Sequence, residues 1–357
     1  MPIEFGIFDH VEFYGDGQIK DLYERRIASI KRIEAAGFYA YHLAEHHGAP
    51  LSVTPSAPVF LSAVARETTT IKLIPTVVCL PLHHPVRIFE ELAMLDVISG
   101  GRLEFGVGKG ITSYEHLQFG HPPEEGPARL ADGLKILLRA FETGIVSSEG
   151  SEFHDFAEMK LPFEPIQRPY PPLWTAGNVE MAGRGGHNLI SPAPMTAEIR
   201  ARYDELRTAS RQEPGHQNPH ITEPKLGHNQ ALVVARTDDE AEAIARRAWG
   251  RYIATMRRAR SLVPPHLQGE ELPEFETDHA RKMLGGDPFE TGSLIAGSVE
   301  RIRDVLVERA RTGLVNYFLF MIPFGDMTDN ELGFIVDAMQ AEIIPAVREA
   351  AAVGSPA

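Results

Sequence analysis

The sequence predicts an α/β chain closed into a (β/α)8 barrel, and three observations carry that reading. Apolar runs of strand length recur eight times, separated by segments of helical pattern. Several of these runs, such as residues 71–79, lack strict polar alternation, as strands covered by helices should. The main alternative, a doubly wound open sheet, lacks its Gly-x-Gly-x-x-Gly signature between the first strand and the first helix.

The predicted elements follow in order. Residues 3–8 form the first strand. Residues 19–36 then carry Ile19, Leu22, Ile27, Ile30 and Ile33 at a spacing that builds one helical stripe. Gly37 stands where a left-handed cap would end that helix. The second strand is 39–44, the third 71–79 and the fourth 102–107. Between the last two, Pro85 opens a helix at a favourable first-turn position, with Phe89, Leu92 and Leu95 facing inward and Gly100-Gly101 closing it. Strands five to eight are expected at 173–176, 188–191, 226–235 and 314–321.

Two segments break the alternation. Residues 143–172 are polar and then proline-rich, so an irregular path is expected there. Residues 262–292, an insertion between strands seven and eight, hold Pro264-Pro265, Pro273, Gly285-Gly286 and Pro288 among many acidic residues. A stretch of that length reads either as a functional lid over a site or as a poorly ordered loop. With no repeat and no low-complexity tract, residues 1–357 are expected to form a single domain.

Composition narrows the function classes. The chain has 357 residues, 43% hydrophobic and 24% charged, with a formal net charge of −14. No basic tract of five or more residues appears, which argues against a nucleic-acid partner. A single cysteine, Cys79, excludes an internal disulfide and fits a reducing cytoplasm. The start lacks the pattern of a secretory signal, and no apolar stretch is long enough to span a bilayer. A cytoplasmic protein with no membrane partner is therefore expected.

Residues that can carry chemistry collect where predicted strands run into loops, the edge at which barrels of this kind do chemistry. Glu45-His46-His47 follows the second strand. A carboxylate beside two imidazoles can hold a metal, relay a proton or steady a reactive intermediate. Gly106, Gly108 and Gly110 punctuate the turn after the fourth strand, where the backbone can approach a ligand closely and Lys109 offers a charge to a phosphate. Ala176-Gly177-Asn178 follows the fifth strand, and Asn178 there is a good helix N-cap. Thr76 and Val77 are expected to face the barrel mouth, with Cys79, His10 and His47 as candidates to line a pocket. His83-His84 reads as a surface turn. Adjacent histidines seldom both ligate one ion, and neither His-x-His nor a compact carboxylate set is visible, so no metal site is expected.

With these segments identified, the chain resembles the bacterial luciferase-like, flavin-dependent monooxygenases (alkanal monooxygenase-like). The likeness rests on Phe5-Gly-Ile-Phe, Glu45-His-His, residues 78–87 (Val-Cys-Leu-Pro-Leu-His-His-Pro-Val-Arg) and the run from Leu95 to Gly110. Residues 165–174, 297–300 and 313–319 continue it, whereas 200–290 match loosely. The order and spacing of these motifs are far more specific than any one of them.

The resemblance implies a TIM-like (β/α)8 barrel with a mobile lid in its insertion, binding reduced FMN (FMNH2) at the C-terminal mouth. It implies a monooxygenase that adds one oxygen atom of O2 to a small organic substrate through a flavin C4a-(hydro)peroxide. His46 matches the histidine near the reacting edge of the flavin, and Glu45 is its expected orienting neighbour. Gly108 matches a position beside the flavin. Lys109 replaces a usual arginine, keeping the charge but losing the bidentate fork. Asn178 stands where the family often has a serine-bearing turn for the phosphate. The resemblance further implies a separate NAD(P)H:flavin reductase and a homodimer. An F420-dependent oxidoreductase of the same superfamily is the nearest alternative. A metal-dependent barrel hydrolase and a non-catalytic flavin-binding protein stand outside that class.

Overall fold

The structure is a computed structural model that describes residues 3–15, 17–191, 193–213, 215–262 and 285–353. Strand β1 (Glu4–Asp9) sends Phe5 and Ile7 outward, where both are fully buried. Helix α1 (Ile19–Ala35) covers them with Ile30 and Ile33, and Gly37 turns the chain back at φ +83°. The predicted stripe starts later than its spacing suggests, because Ile19 is exposed at the helix start.

The chain then alternates through β2 (Ala40–Leu43), α2 (Ala57–Glu67), β3 (Lys72–Pro75), the short β4 (Val78–Cys79), α3 (Pro85–Ser99) and β5 (Phe105–Gly108). Next come α4 (Ser113–Gln118), α5 (Gly126–Thr143), β6 (Ile145–Val146), β7 (Met159–Lys160), β8 (Leu173–Ala176), α6 (Val179–Gly185) and β9 (Asn188–Ser191). After α7 (Ala197–Ser210), β10 (Leu226–Ala235) and α8 (Asp238–Arg260) come β11 (Leu294–Ser298), the helix Val299–Arg311 and β12 (Tyr317–Met321). The last described residues are helical from Asp329 to Val353.

Parallel pairing runs β3-β2-β1-β12-β10-β9-β8-β5. A bridge between Leu73 and Leu103 nearly closes the ring, with the Leu73 amide donating to Arg102 O (3.0 Å) and the Glu104 amide to Leu73 O (3.2 Å). All eight C-terminal ends therefore open on one rim. The fold class read from the sequence holds, including material inserted between the seventh and eighth barrel strands.

Four local expectations are corrected. The third predicted strand is two pieces, β3 and β4, of which β4 pairs only with β5. The fourth begins at Phe105 rather than 102, because Arg102 turns its side chain into helix ends. Residues 143–172 are not wholly irregular, since β6 and β7 form an antiparallel pair. A strand outside the eight expected, β11, follows the 262–292 insertion and lies parallel to the second half of β10. Of the expected lid, residues 263–284 lie outside the described residues.

A polar network crosses the barrel interior. His42 places Nδ1 2.8 Å from Thr76 Oγ1 and Nε2 2.8 Å from the Tyr317 hydroxyl, with the Trp174 ring edge-on at 4.9 Å. Burial pushes His42 down to about 3, so the ring stays neutral. Tyr317 can reach across only because position 6 is glycine, where a Cβ would sit 1.8 Å from the tyrosine oxygen.

The run 95–110 also braces the wall. Buried Asp96 accepts from the Ile166 amide (2.6 Å), the Gln167 amide (2.9 Å) and Gln167 Nε2 (2.8 Å), which fastens the proline-rich segment to α3. Arg102 donates to the carbonyls of Ala65 (2.8 Å), Thr68 (3.1 Å), Ile71 (3.1 Å) and Ser99 (2.8 Å), and to Thr68 Oγ1 (2.9 Å). Among the described residues no helix is long and apolar enough to cross a membrane.

Candidate active site

Beyond Leu43 the chain runs along the rim through Glu45, His46 and His47, and successive side chains take different partners. His46 sets Nδ1 3.2 Å from Glu115 Oε1. Glu45 Oε1 instead accepts from Nε2 of His47 (3.0 Å) and Nε2 of His83 (2.9 Å). The expectation that Glu45 orients His46 is therefore corrected: its carboxylate is occupied by the other two rings. Burial alone would raise Glu45, but His83 and His47 outweigh it and hold it at about 2. Burial would likewise lower His83, and the Glu45 charge beside it reverses the sign. His83 is thus no free surface turn. His84, its neighbour, is exposed and accepts from the Val86 amide at the start of α3.

Glu115 comes from α4, behind the turn that follows β5. Oε1 also accepts the His47 amide (2.9 Å) and Oε2 the Thr112 hydroxyl (2.6 Å). Against burial, which raises it, these bonds and His46 hold its carboxyl below the usual range. An ionised partner at Nδ1 keeps a proton there, so a neutral His46 presents Nε2 as an acceptor. Nε2 has no hydrogen-bond partner among the described residues.

The end of β1 supplies the facing ring. His10 stacks on His46 with centroids 5.6 Å apart and planes 14° apart, and Tyr252 of α8 tilts over it at 5.6 Å. Burial first, and His46 second, push His10 well below the ordinary histidine range. Its Nδ1 is buried with no hydrogen-bond partner among the described residues. The next residue, Val11, has φ +52°, which strains a β-branched side chain by about 1–3 kcal/mol. The Val11 amide donates to Asp9 Oδ1 (2.7 Å) and its carbonyl accepts from Val53 (3.1 Å), and these bonds hold the kink that seats His10.

Glu12 ends this loop. Burial raises its carboxyl to about 8, with Asp9 adding to the rise, while Tyr14, the Gly325 amide and Arg26 oppose it. The Tyr252 hydroxyl interacts electrostatically with the same group. Between the unperturbed value of 4.5 and about 8 the unfolded chain gives up this proton while the folded chain keeps it. Its contribution to stability is therefore full below pH 4.5 and is lost as pH rises toward 8. Glu12→Gln removes the titration. From pH about 5 to about 8 the variant should gain on the wild type by up to about 1.4 kcal/mol per pH unit. Urea unfolding at both pH values checks this, and a constant difference between the two proteins overturns it.

Glycines on β5 serve the neighbouring strand. A Cβ at Gly108 would lie 2.5 Å from Val77 Cγ2, and one at Gly106 would lie 3.3 Å from the Pro75 carbonyl. Close passage of residues 75–77 thus explains both, where the sequence suggested approach to a ligand. Thr76 is buried with its hydroxyl at His42, and Val77 is half-buried over Gly108. Cys79 pairs with Gly108 in register and is buried; burial, then the Glu45 and Glu115 carboxylates, push its thiol up.

Lys109 follows, half-buried, with burial lowering its ammonium below the ordinary lysine range. Its carbonyl accepts from His116 Nε2 at 2.6 Å. Because Val107 pairs with Thr175, the turn at Lys109 lies beside the turn that follows β8. There Ala176, Gly177 and Asn178 are exposed, Gly177 has φ +81°, and Asn178 Oδ1 caps α6 through the Met181 amide (2.9 Å).

A family model described as luciferase-like monooxygenase matches residues 3–316. The chain belongs to the luciferase-like monooxygenases. It is 31% identical over 354 residues to the uncharacterized protein y4wF of Sinorhizobium fredii, covering 97% of both chains. Among solved structures, monooxygenase RslO1 of Streptomyces bottropensis superposes with TM-score 0.78 at 19% identity, over 96% of this chain and 99% of that one. The oxygenating constituent of 3,6-diketocamphane monooxygenase from Pseudomonas putida, in complex with FMN, gives 0.70 at 17% identity over 97% and 98%. An F420-dependent tetrahydromethanopterin reductase from Methanopyrus kandleri gives 0.67 at 16% identity over 97% and 99%. Likenesses at these identities establish the shared barrel fold.

This luciferase-like monooxygenase is a flavin-dependent oxidoreductase, and its rim unites residues far apart in sequence. His46, His10, His47, Glu45 and Cys79 do come together, and the turn at Lys109 lies beside the turn at 176–178. The sequence reading missed Glu115 and His83. Thr112-x-x-Glu115, a helix-start spacing, was the only local signal for the first. Nothing local indicates that Glu115 reaches back to His46.

Proposed function

We propose that the protein is the oxygenase of a two-component system that uses FMNH2 and O2 to oxygenate a small organic substrate. One oxygen atom enters the product and the other leaves as water, while reduced FMN is oxidised. A separate NAD(P)H:flavin reductase in the cytoplasm renews it.

The carrying observation is the Glu115–His46 pair on the rim, stacked against the neutral His10. Reduced FMN, when bound, supplies the electrons for the reduction of dioxygen. The residues present fit such a group. Lys109 is a cation beside an exposed glycine turn, suited to a phosphate, and Gly108 with 176–178 borders the same stretch of rim. His46, with Nδ1 held by a carboxylate, can take or give a proton at Nε2. Phe8, His10 and Tyr252 pack together nearby and limit access of water.

The F420-dependent relative supports a second reading, hydride transfer without oxygen. Isotope transfer separates the two: reduced FMN consumes O2 even unaided, but only the first reading places one atom of labelled 18O2 in the product. Lys109→Ala tests the binding half. It should weaken FMN about ten- to a hundredfold, the worth of a charge-assisted phosphate contact, and leave riboflavin unchanged by titration calorimetry. Equal weakening of both ligands would remove Lys109 from the phosphate site. A homodimer belongs to the same reading. The packed helices α2 and α3 expose Val59, Met94 and Val97, apolar surface that such a contact would cover, and the solution mass decides it.

A further inference from the structure

Glu45, His47 and His83 have no part in the chemistry assigned to His46, yet they form the tightest group of metal-binding donor atoms among the described residues. One oxygen and two Nε2 atoms, from two separate loops of the rim, lie within 4.8 Å of one another. The Glu45 side chain is 1% exposed, whereas His47 and His83 are 16% and 18% exposed, so the carboxylate forms the floor and the two rings the opening. Glu45 and His47 are two positions apart, a spacing that lets both turn the same way while His46 turns to Glu115.

We propose that Glu45, His47 and His83 bind one divalent transition-metal ion of the zinc class, with a fourth position open to water. Two imidazoles and one carboxylate are a donor set that zinc accepts, and hard oxygen-seeking ions such as magnesium disfavour it. Bonds of about 2.0–2.2 Å in a tetrahedron set neighbouring donor atoms roughly 3.3 Å apart. The nitrogens now stand 3.0 and 2.9 Å from Glu45 Oε1, so each retreats from it by a few tenths of an ångström. The two nitrogens, within 4.8 Å of each other, adjust to the same spacing as the ion enters. The ion then replaces the two Nε2–H···O bonds, and each neutral ring carries its proton on Nδ1 instead. No bond is made or broken beyond these, and the result ties the loop after β2 to the turn after β4 on either side of the His46 segment. The inference does not depend on which flavin the enzyme uses.

The test uses the full chain, stripped with a chelator and titrated with Co2+ and then Zn2+, with no flavin present. One equivalent of Co2+ should give the strong visible bands of four-coordinate cobalt, which Zn2+ abolishes on displacing it. His83→Ala and Glu45→Gln should each weaken binding by about a hundredfold or more. His84→Ala, one residue away but aimed at His154 and Phe156, should bind as the wild type does. Zn2+ should raise the thermal midpoint of wild type and His84→Ala, and leave that of His83→Ala unmoved. Absence of stoichiometric binding by the wild type overturns the site, as does equal loss in His83→Ala and His84→Ala.

Discussion

His46→Ala should bind FMN within a few-fold of the wild type and yet form product at least about a hundredfold more slowly, the usual worth of a positioned acid–base group. Oxygen uptake should continue, with hydrogen peroxide accounting for the oxygen that no longer reaches product. Aldehydes, sulfonates and heteroaromatic compounds are the substrates to screen first, and the peroxide yield per reduced FMN is then read with whichever of them the wild type oxygenates. Glu115→Gln should fall between the two proteins. The amide can still accept at Nδ1, but it lacks the charge that steadies a protonated ring. Unchanged product yield in His46→Ala would end the assignment. Parallel loss of FMN binding would recast His46 as a residue that only holds the cofactor.

The second large effect belongs to stability. Arg102→Met should cost about 3–5 kcal/mol, because the guanidinium is buried and four backbone carbonyls lose their donor with nothing to replace it. Three of those carbonyls, on Ala65, Thr68 and Ser99, belong to the C-terminal ends of α2 and α3, where the helix dipole also favours a cation. Arg102→Lys should recover only part of the loss, since a compact ammonium cannot span acceptors arranged for a planar fork. Urea unfolding with an unchanged denaturant slope measures both. If Arg102→Met unfolds within about 1 kcal/mol of the wild type, the brace is not what holds the two helices to β3.

This brace shows how motif and function separate. Residues 95–110 carry part of the family likeness, yet Asp96 and Arg102 serve packing, and the glycines at 106 and 108 make room for residues 75–77. The most recognisable run in the sequence is thus largely structural. Within it, Lys109 is the residue that the proposed function assigns to the FMN phosphate.

Local pattern was enough for the barrel. Fully buried parallel strands need apolar side chains on both faces, and helices need one apolar stripe, so the pattern along the chain places the eight barrel strands to within a few residues. The Gly37 turn, the Gly100 cap of α3 and the Asn178 cap of α6 follow from φ and hydrogen-bonding preferences that act within a few residues. The same locality explains what was missed. β11 earns its place by pairing with β10, and β6 is only two residues long. At the rim, contacts between distant positions decide everything. His46 meets Glu115 across 69 positions and Glu45 meets His83 across 38, distances over which a linear pattern carries no information. Closure of the barrel divided the tripeptide Glu45-His46-His47 into a carboxylate-held imidazole facing His10 and a separate cluster around Glu45.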